Sequence, residues 1–166
     1  MIEDPILPPA VSVRDARPDD HAVILDFNQR LALETEGKKL DPVVLGQGVA
    51  AALGDAGRLR YWVAEAARGG RVVGQAAITR EWSDWRNGWV WWFQSVYVHP
   101  DFRGRGVFRG LHRHVRALAL QTPDVIGLRL YVEQENHPAL ATYEALGFRP
   151  GGYVVLEEIW TARVPS

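Results

Sequence analysis

Apolar positions change their period several times along the chain, and those changes set out alternating helices and strands. Val23, Ile24, Phe27, Leu31 and Leu33 recur at helical spacing behind Asp19-Asp20, the pattern of one buried helix face after an acidic cap. Gly37-Lys38-Lys39 breaks that pattern, and Pro42 opens a second helical stretch reaching Leu53. Two runs of strand character, 61–67 and 72–79, flank Arg68-Gly69-Gly70-Arg71 and predict a hairpin with a glycine-rich turn. A second turn is marked by Asn87-Gly88, which joins that strand, through Trp82-Ser83-Asp84-Trp85-Arg86, to an apolar run over 89–99. Leu111, Val115, Leu118 and Ala119 restore the helical period over 106–121. A strand at 126–132, a short helix at 138–146 and a last pair of strands around 153–163 follow, and a short strand near 11–14 leads. The proline-bearing residues 1–10 are expected to be a flexible lead, with one domain over 11–163.

Composition narrows the class without naming a reaction. A chain of 166 residues is long enough to bury a sizeable core as one domain. Its formal net charge of −1 gives no electrostatic reason to expect nucleic acid as a partner. With no cysteine, disulfides, thiolate metal sites and a cysteine nucleophile are excluded. His112 and His114 lie two apart on a helix and cannot share a face, so no metal is expected. No apolar run reaches membrane-spanning length, and Met1-Ile2-Glu3-Asp4-Pro5 lacks the basic start of a signal peptide, so a cytoplasmic enzyme with no membrane partner is expected.

The chemistry concentrates in Val96-Tyr97-Val98-His99-Pro100-Asp101-Phe102-Arg103-Gly104-Arg105-Gly106-Val107-Phe108-Arg109. Here a strand ends, a glycine loop follows and a helix begins, which leaves unpaired backbone N–H groups in the first helical turn with the helix dipole behind them. Glycine lets the backbone approach a ligand and exposes those donors, while Arg103, Arg105 and Arg109 add positive charge. The arrangement predicts an anion site suited to a pyrophosphate. It is not a P-loop, because Gly106 is followed by Val107-Phe108 rather than Lys-Ser/Thr. The glycine spacing also differs from that of the dinucleotide fingerprint.

This loop resembles the Arg/Gln-x-x-Gly-x-Gly/Ala signature of the GNAT-type N-acetyltransferases, with Arg103 first, Gly106 fourth and Phe108 where Gly or Ala is usual. Downstream, Asn136, Ala139, Tyr143, Gly147 and Phe148 resemble the same family's Asn-x-x-Ala-x-x-x-Tyr-x-x-x-Gly-Phe pattern. The resemblance implies a single α/β domain of α+β type: a mixed, mostly antiparallel sheet flanked by helices, its central strands splayed to admit the pantetheine arm. It further implies acetyl transfer from acetyl-CoA to an amine. Val96, Tyr97, Val98, the loop from Arg103 through Gly104, Arg105, Gly106, Val107 and Phe108 to Arg109, and Asn136 would hold the donor, and Tyr143 would protonate the departing thiolate.

A general base is less plainly marked. Related enzymes often carry a glutamate on the strand before the loop, where this chain has Trp92 and Gln94. Glu81 is the first substitute, followed by Glu34, Glu36 and Glu133, and a water chain is the alternative. Five of the seven tryptophans cluster at Trp82, Trp85, Trp89, Trp91 and Trp92. Cross-strand pairing accounts for part of this cluster. Trp82 and Trp85, with Glu34 and Glu133, are candidates for the acceptor side, and an exposed homodimer surface would use the same residues. The acceptor is a small-molecule or peptide amine. Transfer of a longer acyl group, or an acyl-CoA-binding sensor without activity, are the competing readings.

Overall fold

In the computed structural model, which describes residues 11–160, five strands form one sheet in chain order. The strands are β1 (Val11–Asp15), β2 (Arg60–Ala66), β3 (Val72–Ser83), β4 (Gly88–Val98) and β5 (Val125–Leu130), and the helices are α1 (His21–Glu36), α2 (Pro42–Gly54), α3 (Val107–Gln121) and α4 (His137–Ala145). The chain divides into two compact units, 1–133 and 134–166. The expected lead at 1–10 lies outside the described residues.

Local chemistry explains where the elements of the first unit stop. Asp41 caps α2 by accepting the N–H groups of Val43 and Val44, with Pro42 at the first helical position. Gly37 closes α1 in the left-handed conformation, at φ +64°. Gly69 and Gly70 take φ +83° and +61° in the β2–β3 turn, and Asn87 takes +49° in the β3–β4 turn. The second hairpin is longer than the sequence suggests. Strand β3 continues to Ser83, so Trp82 belongs to the strand and pairs with Trp89. Cross-strand packing of those indoles, with centroids 5.0 Å apart, favours the extension.

Neighbouring strands are antiparallel except β4 and β5, which run parallel. One sheet face packs on α1 and α2 through Ile24, Val49, Ala52, Tyr61, Val63 and Ala77. On the opposite face α3 meets Trp62, Gly74 and Phe93 through His114, Val107 and His112. Successive residues of a strand face opposite sides, so Trp62 and Val63, or Gly74 and Gln75, serve different layers.

Two irregularities shape the end of β4. Between the pairs Gln94↔Ala77 and Tyr97↔Gln75, β4 advances three residues while β3 advances two. This is a bulge, with Ser95 at φ +48°. The extra residue turns Tyr97 onto the α1 face, where its ring lies 5.1 Å from that of Phe27. Pairing with β5 reaches only Phe93↔Leu130. Strand β5 therefore stops two residues short of the expected 132: once β4 diverges there is no ladder partner to extend it.

In the second unit, the side chain of Asn136 caps α4 by accepting the N–H of Ala139 at 3.2 Å. Gly147 ends the turn that follows, at φ +96°, and Phe148 returns its N–H to the Tyr143 carbonyl at 3.0 Å. The final strands expected around 153–163 do not form over 153–160; residues 161–163 lie outside the described residues. Apolar alternation assigns faces to a strand but does not supply the hydrogen-bonding neighbour that makes one.

Candidate active site

At the loop, β4 ends at Val98, a 3-10 turn (Pro100–Phe102) follows, and Arg103-Gly104-Arg105-Gly106 leads into α3. His99 accepts the N–H of Asp101 through its side chain and donates its own backbone N–H to the Val73 carbonyl, tying the turn to β3. Gly104 and Gly106 both take left-handed conformations, φ +72° and +77°. A Cβ added at either would meet nothing within 4 Å. Backbone conformation, not crowding, therefore demands glycine at both, and the space in front of the loop is open. Gly106 is the N-cap of α3 and offers no side chain to its first N–H groups, which stay available to an anion.

Val107 and Phe108 leave that opening to the backbone. The Val107 side chain is buried towards β3, and the ring of Phe108 lies 6.0 Å from that of Phe93 and 6.3 Å from that of His112. A bulky residue at the sixth position of the signature is thus accommodated by packing towards the sheet.

The three arginines of the loop differ sharply. Arg103 pairs with Glu34 at 2.6 Å, donates its Nε to the Val98 carbonyl at 3.0 Å and lies over the ring of Tyr97. Arg105 lies over the ring of Phe102. Among the described residues neither Arg105 nor Arg109 forms a salt bridge with a carboxylate. The other oxygen of Glu34 accepts the Tyr97 hydroxyl at 2.7 Å. Burial pushes the Glu34 carboxyl upward, but its bonds to Tyr97 and Arg103 outweigh that and hold it below its ordinary value. Burial and the neighbouring Glu34 push the Tyr97 hydroxyl up to about 12.

Glu81 sits on the same sheet face as Trp92, whose indole N–H it accepts, and its second oxygen accepts Arg129 at 3.1 Å. Trp92 also packs against Tyr131, with ring centroids 4.4 Å apart. Trp82, the next residue after Glu81, faces the other way and joins Trp89. Trp85 is exposed at the tip of the β3–β4 turn and Trp91 is buried. The tryptophans therefore form no single cluster, and Trp92, not Trp82, accompanies Glu81. Beneath this face lies a polar chain that the sequence did not signal. Buried Gln75 donates to Asn28 at 2.8 Å and to the Ser95 carbonyl at 3.0 Å, and Asn28 donates to the Tyr61 hydroxyl at 3.2 Å. It pins α1 to the bulge. A lone polar residue at an inward position of β3 was the available clue.

Within the second unit, Tyr143 lies on α4 with its ring 6.0 Å from that of Phe148, edge to face. Burial raises its hydroxyl above its ordinary value. The Oδ1 of Asn136 is occupied by the helix cap. Among the described residues no group of three or more His, Asp or Glu side chains is placed to hold a metal ion, and no helix is long and apolar enough to cross a membrane.

Comparison with known proteins places this architecture. Residues 24–148 match the acetyltransferase (GNAT) family. The structure of a possible acetyltransferase from Clostridium difficile 630 is similar at 42% identity and a TM-score of 0.82, covering 92% of this chain and 99% of that one. The Trypanosoma brucei acetyltransferase Tb11.01.2886 shares the fold at 21% identity (TM-score 0.68, 90% and 99% covered). So does a predicted acetyltransferase with acetyl-CoA from Clostridium acetobutylicum, at 19% identity (TM-score 0.70, 89% and 96% covered). No curated protein matches the chain by sequence. A glycine loop in left-handed conformation between β4 and α3, a β4–β5 pairing that stops short, and a family match across most of the chain lead to one conclusion: this protein belongs to the GNAT acetyltransferase family.

Proposed function

We propose that the protein transfers an acetyl group from acetyl-CoA to an amine of a small-molecule or peptide acceptor. The observation that carries this reading is the pair of left-handed glycines, Gly104 and Gly106, at the uncapped start of α3. Acetyl-CoA as donor is supported by the related fold from Clostridium acetobutylicum, which is described with that compound. The backbone N–H groups of Gly104, Gly106, Val107 and Phe108 receive the pyrophosphate, with Arg105 and Arg109 adding charge. The backbone of Val96, Tyr97 and Val98 orients the pantetheine and the thioester carbonyl, and Asn136 contributes to the same arm.

The neutral amine attacks the thioester carbonyl, and the carbon–sulfur bond breaks as the tetrahedral centre collapses. Glu81 takes the amine proton, directly or through one water, and Tyr143 donates a proton to the leaving sulfur. A hydroxyl held above its ordinary pKa stays protonated at neutral pH, as that role requires. Trp85 and Glu133 contribute to the acceptor side, whereas Trp82 faces away from Glu81 towards Trp89.

Thiol release from acetyl-CoA and longer acyl-CoAs, measured across a panel of amines, tests the reading. Acetyl-CoA turnover with at least one amine is expected. Binding without turnover on any donor would replace it with a sensor role, and preference for a longer chain would change the donor.

A further inference from the structure

Glutamate in the last turn of α1 is at odds with helix stability, since the dipole there favours cations and no basic residue occupies that turn. Its reason lies outside the helix. Glu34 reaches across 69 residues of sequence to Arg103, and its two oxygens are divided between the Arg103 guanidinium and the Tyr97 hydroxyl. Arg103 in turn grips the last carbonyl of β4 through Nε and rests on the Tyr97 ring. The four groups form a closed strap that joins α1, the end of β4 and the first residue of the loop.

We propose that Glu34 is a positioning residue for the CoA loop. It fixes Arg103 as the hinge from which Gly104–Gly106 project, rather than touching the acceptor or serving as base. This role rests on the acyl-CoA reading given above. Three observations favour it. The Arg103 charge is neutralised within the protein, whereas Arg105 and Arg109 have no carboxylate partner among the described residues, so the ligand-facing charge belongs to those two. Second, the carboxylate is held below its ordinary value by two donors, which leaves it a weak proton acceptor at neutral pH. Third, the pair is about half exposed (side chains 48% and 40%), and such a pair adds little to stability. What its geometry does supply is orientation.

The test is a double-mutant cycle read by calorimetric CoA affinity and steady-state kinetics on wild type, Glu34→Gln, Arg103→Gln and the double variant. Each single variant is expected to weaken CoA binding by roughly three- to tenfold. KM for acetyl-CoA should rise alike and kcat should stay within about twofold. The double variant should be no worse than the poorer single, because both break one strap. The acidic limb of the rate-versus-pH curve should persist in Glu34→Gln. Tighter CoA binding in Glu34→Gln would overturn the proposal by showing that Arg103 is a phosphate ligand held back by Glu34. Additive losses, or disappearance of the acidic limb, would overturn it too. Wild-type protein that binds no CoA would defeat the acyl-CoA reading and this role with it, whereas wild type that binds beside an unaffected Glu34→Gln would defeat the role alone.

Discussion

Trp92 on β4 donates its indole N–H to Glu81 on β3, so the carboxylate is oriented by an aromatic side chain two residues before the bulge. Arg129 on β5 engages the other oxygen. A carboxylate has about four acceptor positions, so two donors fix its direction and leave lone pairs free. Glu81→Gln is expected to lower turnover, with CoA affinity unchanged. The amide that replaces the carboxylate cannot accept the amine's proton. Wild-type turnover in Glu81→Gln would return the proton to solvent.

The left-handed turn at Gly106 makes a second prediction. A β-branched side chain in this conformation costs about 1–2 kcal/mol, and relaxing it rotates the N–H groups of α3 away from the phosphates. Gly106→Val should therefore lose measurable CoA binding while remaining folded. Arg105→Ala, which removes charge but no backbone donor, should weaken binding only modestly, and more at low salt than at high. Calorimetry at two ionic strengths measures both effects. A folded Gly106→Val protein with wild-type affinity would rule out a backbone cradle.

Packing at the start of β4 is testable without any ligand. A Cβ on Gly88 would stand 2.4 Å from Cγ2 of Ile126 and 2.9 Å from the Asp124 carbonyl. That carbonyl cannot swing aside, because it accepts the N–H of Trp89 at 2.6 Å. Gly88→Ala should destabilise by roughly 1–3 kcal/mol, lowering Tm by about 2–10 °C. Gly48→Ala, on α2 with open space at that point, should be neutral or slightly stabilising in the same thermal melt.

Local signals in the sequence were strong where the structure is locally determined. Asp41-Pro42, Gly37, Gly69-Gly70 and Asn87-Gly88 each specify backbone geometry within a few residues, and each ends or starts an element as read. The glycine loop was legible for the same reason. The bulge at Ser95 was not, since an apolar run carries no mark of a one-residue insertion, yet it decides which face Tyr97 occupies. Glu34 and Arg103 lie far apart in sequence, so no local pattern could reveal their pairing. Glu34 was legible as a candidate acid, but its partner belongs to the tertiary fold. The segment over 153–160 has strand-like alternation and no strand, because pairing depends on a neighbour that periodicity does not specify.

Acid should weaken the fold through Asp20. This carboxylate is nearly buried and pairs with Arg14 at 2.7 Å, and it also accepts the backbone N–H of Arg17 at 2.7 Å. The Arg14 bond is the main reason its pKa is lowered; burial opposes it and loses. Because the folded pKa lies below the unfolded one, the stabilisation is complete above about pH 4 and is lost as pH falls through the lower folded value. Asp20→Ala should cost about 1–3 kcal/mol at neutral pH. It should also flatten the decline in denaturation midpoint as pH falls below about 4. An unaltered decline would assign acid sensitivity to other carboxylates.

Tyr143 offers the sharpest separation of chemistry from structure. Its ring packs against Phe148 on the helix that Asn136 caps, and phenylalanine preserves that packing while deleting only the hydroxyl. Burial raises the hydroxyl's pKa, so it remains a proton donor throughout the neutral range, and loss of function through its ionisation would come only above its ordinary value near 10. Tyr143→Phe should therefore leave the melting temperature and CoA affinity close to wild type while kcat falls by about 100-fold or more, the scale of lost acid catalysis. The thiolate must then leave without a positioned proton. The loss should accordingly shrink with donors whose thiols are more acidic, since a better leaving group needs less protonation. A variant that turns over acetyl-CoA at the wild-type rate would show that solvent supplies the proton. A variant that loses CoA affinity in proportion to rate would make the hydroxyl a binding group instead.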